Sequence, residues 1–207
     1  MIDGVIWAPV NCGFHEADFK YGKLYQWGRK YGQGYEGSDA SFPALKEGGV
    51  SASDANLKDN ENVFYTGISS NGHNWAYPHD STLWNSGSDS SPLKSDYDPC
   101  PTGWRVPTYA ELSQLCQNYS DKTTRNGQTG YWLSGTQAYS SSVSRIFMPF
   151  AGKINSGGIP CDRDEYGFYW TSYTNQEYIF VSYFLGSQDG MSTTVRSNAY
   201  SIRCVQE

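Results

Sequence analysis

Five cysteines, three histidines and one acidic turn are the residues of this chain with the most obvious chemistry. Cys12, Cys100, Cys116, Cys161 and Cys204 are odd in number, so at least one thiol is free or pairs between chains. None stands at CxxC spacing, and the Cys–His spacing of a zinc site is absent. Small buried thiols are expected, with one disulfide open to an oxidising compartment. His73 and His79 lie in one loop with Asp80 adjacent, and His15 lies far upstream, but nothing supplies a dependable third ligand. Asp162, Asp164 and Glu165 crowd one turn. Calcium takes such oxygens several at a time, yet a solvated turn is the expectation. No Ser–His–Asp order, paired-carboxylate arrangement, P-loop, GxSxG or GxGxxG signature emerges. The chain is therefore expected to be no enzyme and to carry no cofactor and no metal.

Recognition chemistry is better represented. Between Trp170 and Tyr200 the chain offers Tyr173, Asn175, Gln176, Tyr178, Phe180 and Ser182, followed by Tyr183, Gln188, Met191, Thr193 and Asn198. Tyrosine mixed with Ser, Gly and Asn suits binding surfaces: rigid aromatic area at low entropy cost, with adaptable hydrogen bonds beside it. In the run 178–184, two alternations are open. If Ile179 and Val181 point inward, Tyr178, Phe180, Ser182 and Phe184 point outward. Exposed Phe180 and Phe184 would be unusual unless they bind something. The opposite register exposes Tyr183 instead.

These residues need elements to position them, and composition limits which. The 207 residues suffice for a sizeable core. Hydrophobic residues make up 38%, low for a globular chain, but aromatics reach 16% and charged residues only 17%. That balance excludes disorder and argues against a helical bundle. The formal net charge of −6, without a Lys/Arg cluster, argues against nucleic acid. No run of 18 apolar residues exists, so membrane insertion is not expected. Met1-Ile2-Asp3-Gly4 lacks the basic and apolar regions of a signal peptide. Thr108 as N-cap, Glu111 completing a capping box and Leu112, Leu115 and Cys116 on one face predict a helix over 108–119. A short helix is expected around 54–62, and 66–98 reads as long irregular structure. Strands are expected over 130–134, 145–150, 167–173, 177–185, 193–197 and 199–205, with Pro149 marking a strand end or edge.

The order of certain motifs carries a resemblance. Asp98-Pro99-Cys100-Pro101-Thr102-Gly103-Trp104-Arg105-Val106-Pro107-Thr108 with Glu111 closely resembles the DPCPxGWRVPTxxE segment of the major paralogous domain family first described in Fibrobacter. That family's relatives are C-type-lectin-like domains of the formylglycine-generating-enzyme type. Trp7-Ala8-Pro9-Val10-Asn11-Cys12-Gly13, Tyr21–Gly28, Phe147–Gly152, Gly167–Ser172 and Tyr200–Val205 match its other landmarks. The resemblance implies one α+β domain over 1–207, with two helices, small twisted antiparallel sheets, much irregular loop and termini meeting in neighbouring strands. Pro101 and Gly103 would shape a turn, Trp104 would fill the core and Pro107-Thr108 would start the helix. The oxidase relatives use cysteine thiols near the C-terminal strand, but here Cys204 has no second cysteine within 40 residues upstream. Cys204 is expected as a buried thiol, or paired with Cys100 or Cys12. The tail 167–205 also resembles the variable region of retroelement-diversified proteins, among them phage tropism determinants and bacterial adhesins. The resemblance thus implies a domain binding a protein receptor or glycan on a cell surface. Its setting would be extracellular, on a bacterial surface or a phage virion. A structural module of a multidomain surface protein is the alternative, and a thiol oxidase a distant third.

Overall fold

The computed structural model describes residues 1–34, 44–68, 74–175, 178–184 and 190–207; for Asn175 and 178–184 it describes the backbone alone. The elements are short and joined by long loops. They run β1 (Tyr25–Gln26), β2 (Ala44–Glu47), α1 (Ala52–Ala55), a 3-10 turn (Lys58–Asn60), β3 (Val63–Thr66), β4 (Trp104–Arg105) and α2 (Tyr109–Leu115). β5 (Thr123–Arg125), β6 (Gln128–Leu133), β7 (Ile146–Pro149), β8 (Lys153–Ile154) and β9 (Pro160–Cys161) follow. The chain ends with β10 (Gly167–Asn175), β11 (Tyr178–Phe184), β12 (Gly190–Thr194), β13 (Ala199–Tyr200) and β14 (Val205–Gln206). The class is α+β: among the described residues, two helices, small sheets and much loop. The sheets are β1-β13-β8-β9, β10-β11-β12, β5-β6-β7, β14-β4 and β2-β3. All pair antiparallel except β2 with β3, which runs parallel because the connection crosses over through α1.

α2 starts where the sequence places it. Thr108 Oγ1 accepts from the Glu111 amide and the Glu111 carboxylate accepts from the Thr108 amide, a complete capping box. It stops at Leu115 rather than 119. Asn118, Tyr119 and Ser120 leave the helix to pair along β6, through Ser134 N–Asn118 O, Ser120 N–Trp132 O and a Tyr119–Leu133 bridge. Tertiary pairing there outweighs helix propensity. The strand expected over 193–197 lies instead at Gly190–Thr194, because the chain turns at 195–198 to bury Arg196 and Ser197. The run 199–205 is broken into β13 and β14. Between them Ser201 pairs with β10, while Ile202 O and Cys204 O accept from Cys12 and Ala8. The ends of the chain meet: Trp7 bridges Val205, and Gln206 donates to Ile6 O at 2.9 Å.

Four indoles fill the main core, Trp27, Trp75, Trp84 and Trp170, none more than 1% exposed. Their N–H groups find carbonyls, as buried indoles must. Trp170, Trp75 and Trp84 donate to the carbonyls of Tyr25, Trp27 and Arg29, and Trp27 donates to Thr171 O. Carbonyls of β1 and of the irregular stretch after it are thereby satisfied from the core. Gly28 sits in this segment at φ +88°, where a Cβ would lie 2.3 Å from Leu83 Cδ1. Trp104, expected in the core, is only half-buried, because the Pro101–Trp104 turn (Gly103 φ +78°) carries it to the edge pair β4–β14. A second core joins α2 to β6 and β7 through Leu112, Leu115, Tyr131, Met148 and Phe150, with Tyr169 from β10.

Candidate functional site

The sheet β10-β11-β12 carries eight of the eleven residues that the sequence singles out for recognition. Its register pairs Asn175 with Tyr178, Phe180 with Thr193, and Ser182 with both Tyr169 and Met191. Directly opposed residues in antiparallel strands share a face, and alternate residues along a strand do too. Asn175, Tyr178, Phe180, Ser182, Met191 and Thr193 therefore belong to one register face. Tyr183 belongs to the other, opposite Phe168 and Gly190. Tyr169, at the inner end of the first face, is fully buried; Met191 is half-buried and Thr193 exposed. Among the described side chains of this face, exposure rises from Tyr169 through Met191 to Thr193.

Tyr173 lies where the β10–β11 register shifts, between Trp170 and Thr174. It is 39% exposed, and its ring stands 6.2 Å from that of Tyr109 at the start of α2. Ser172 N donates to Pro107 O at 2.8 Å, which pins this bulge to the helix entrance. Asn198 is not on the sheet. Its amide donates to Thr194 Oγ1 and the Tyr200 hydroxyl, at 2.8 and 3.0 Å, bracing the turn after β12. Gln176 and Gln188 lie outside the described residues, as does His73.

The other candidate chemistry is absorbed into scaffold. Cys204 is no free thiol: it is disulfide-bonded to Cys100 across 104 residues. The Cys12 sulfur lies within 4.8 Å of both, and the three form the one Cys/His/Asp/Glu cluster among the described residues with metal-ligand proximity. The disulfide engages two of the three sulfurs. Burial pushes the Cys12 thiol up to about 11, despite a hydrogen bond to Tyr25. The acidic turn is not simply solvated. Asp164 accepts from the Tyr21 hydroxyl at 2.7 Å and the Thr129 amide at 3.0 Å, and Asp162 pairs with Lys153 at 2.9 Å. Asp162 and Asp164 both hold positive φ to make these contacts.

Sequence reasoning missed the buried guanidinium groups. Arg29, Arg196 and Arg203 are each 1% exposed. Arg29 donates to Val63 O and Asn60 O, and Arg196 to Asp80 O. Arg203 donates to Asn11 Oδ1 and the carbonyls of Ala8, Pro9 and Phe147. A lone arginine inside the apolar run Ile202–Val205 was the signal available for one of them. Family models, curated proteins and solved structures yield no match to this chain.

Proposed function

We propose that this chain is a non-enzymatic binding domain of C-type-lectin-like fold. It presents one face of β10-β11-β12 to a protein receptor or glycan on a cell surface. The observation that supports this reading is the register. Six residues chosen for their recognition chemistry, scattered over 175–193, fall on a single face. The scaffold behind that face is fixed by a disulfide, by satisfied indoles and by buried guanidinium groups. Preformed surfaces lose little entropy on binding, and a face of roughly 800 Å² is the size a stable complex uses on one partner. The setting that fits is a bacterial surface adhesin, a pilus tip or a phage tail tip.

The test is binding to glycan arrays and to intact bacterial cells, by the parent chain and by the triple variant Tyr178→Ala, Phe180→Ala, Thr193→Ala. A binding face here predicts at least a tenfold loss with an unchanged melting temperature. Equal binding by the variant overturns the assignment of this face. A parent chain that binds neither leaves the structural-module reading in its place. The encoding locus gives an independent check: a neighbouring reverse transcriptase with a near-copy of codons 167–205, differing mainly at adenines, is expected.

A further inference from the structure

Away from β10-β11-β12, the loop after Trp7, the β5–β6 turn, β7 and Arg203 enclose a cleft of ≈ 200 Å³. Val10 and Phe14, 39% and 41% exposed, form its apolar rim, and Phe147 lies against its base. Its charged lining is wholly cationic: Lys20, Arg125 and Arg203, with no carboxylate among the lining residues. That is notable in a chain of net charge −6. Among the described residues, none of these three cations forms an ion pair. Arg125 is exposed, and its guanidinium is steadied over the rings of Trp132 and Phe147, at 4.9 and 5.9 Å from their centroids. Arg203 is held by neutral acceptors, Asn11 Oδ1, three carbonyls and the Tyr169 hydroxyl. Arg125 and Arg203 are near enough to repel each other, which adds to the effect of burial in lowering the Arg203 pKa. Asp164 accepts from the hydroxyl of the lining residue Tyr21 at 2.7 Å and does not itself line the cleft. A negative charge entering the cleft meets two exposed cations, Lys20 and Arg125, with the buried Arg203 charge behind them.

The apolar rim adds a second requirement. An inorganic anion would leave Val10 and Phe14 without a partner, whereas a ring carrying a carboxylate satisfies both halves of the site. The volume is below the roughly 300–1,000 Å³ of pockets for drug-sized ligands, so one ring is the limit. We infer that this cleft binds a small monocyclic carboxylate, its ring against Val10 and Phe14 and its carboxylate toward Arg125 and Lys20. Such a ligand has two chemical sources, a sugar acid or an aromatic acid. The inference does not rest on the β10-β11-β12 face.

The test is a titration of the isotope-labelled chain with glucuronate and with benzoate, each against its neutral counterpart, glucose and benzyl alcohol. Amide shifts of Asn11, Phe14, Asn126 and Gln128 are the readout. Saturable shifts at these positions with one of the acids are expected, with the neutral counterpart at least tenfold weaker. A response to glucuronate alone identifies a sugar-acid site, and to benzoate alone an aromatic-acid site. Raising the salt weakens binding, as exposed charge contacts require. Lys20→Gln and Arg125→Gln, both on exposed side chains, each lower the affinity about tenfold without changing the melting temperature. No saturable shift with either acid, equal shifts with the neutral compounds, or full affinity in both variants overturns the inference.

Discussion

Arg203 is 1% exposed and its donors reach an amide oxygen and three backbone carbonyls, with no carboxylate among these partners. Arg29 follows the same pattern with two carbonyls, its guanidinium lying over the Tyr65 and Trp75 rings. Burial lowers these groups, Arg203 and Arg29 both to about 10, which still leaves them charged at neutral pH. In a loop-rich chain many carbonyls lack ladder partners, and a five-donor fork answers several at once. Lysine has neither the reach nor the planar fork. Arg203→Lys is therefore expected to lose about 3 kcal/mol in urea unfolding, since buried acceptors left unmet cost roughly 1–3 kcal/mol each. A loss below ~1 kcal/mol would show that the fork is replaceable. Cys12 supports a second prediction at this scale. Its thiol rises from an ordinary value of 9.0 to about 11 on folding, chiefly through burial. A raised pKa means that the associated stability is complete below pH 9 and is lost as pH climbs through 9 toward 11. Two units correspond to about 3 kcal/mol. The stability gap between the parent and Cys12→Ala should narrow by that order between pH 8 and pH 11 in denaturant titrations. A constant gap would mean that the thiol is solvated in the folded state.

α2 shows which elements were legible in sequence. Its start is local: Thr108 and Glu111 are three residues apart and close the capping box by themselves. Its end was not legible, because Asn118–Ser120 are drawn off by β6, a partner that no local pattern reveals. The same division holds elsewhere. The alternation in 178–184 implied a strand, and β11 is there, but which residues oppose it depends on a bulge after Trp170 and on the placement of β12. The aromatic core is legible from composition, whereas the position of Trp104, packed half-buried at that core's edge, is set by a turn. The buried arginines and the cationic cleft were hidden because their partners are carbonyls and residues far away in the chain. The capping box also makes a prediction for its element. Glu111 joins Arg105 through two contacts, at 2.6 and 2.8 Å. Burial raises its pKa, but Arg105 and the Thr108 amide outweigh burial and hold it below the usual carboxylate range. Its stabilisation is present above pH 4.5 and lost as pH falls through the lowered value. Glu111→Gln should cost about 1–2 kcal/mol at pH 7, given the loss of a charge-assisted, partly solvated pair with Arg105, while Gln at this position can still close the capping box. The difference should shrink as pH falls through that lowered value. If the two proteins differ equally at pH 7 and pH 2, the charge is not what matters.

For the molecule as a whole, the disulfide Cys100–Cys204 closes a loop that contains α2 and every strand from β4 to β13. That loop includes the proposed binding face. β14 follows Cys204 and pairs with β4 just after Cys100, so the bond fastens the same junction that the strands close. Crosslinking a loop of this length removes denatured-state entropy worth about 4–5 kcal/mol in the chain-entropy estimate. For a domain of this size that corresponds to roughly 10 °C in melting temperature, at about 2–4 °C per kcal/mol. The choice of variant matters, because the Cys12 sulfur lies within 4.8 Å of both partners. Cys100→Ala alone leaves Cys12 beside Cys204, and Cys204→Ala alone leaves it beside Cys100. Either single variant is free to form a substitute bridge under oxidising conditions, and non-reducing peptide mapping would detect it. The double variant Cys100→Ala, Cys204→Ala isolates the native bond. It should melt about 10 °C below the parent, while each oxidised single variant recovers part of that loss and surrenders it on adding dithiothreitol. A double variant as stable as the parent would place the stability of the junction in the β4–β14 pair and the arginine-satisfied loops instead.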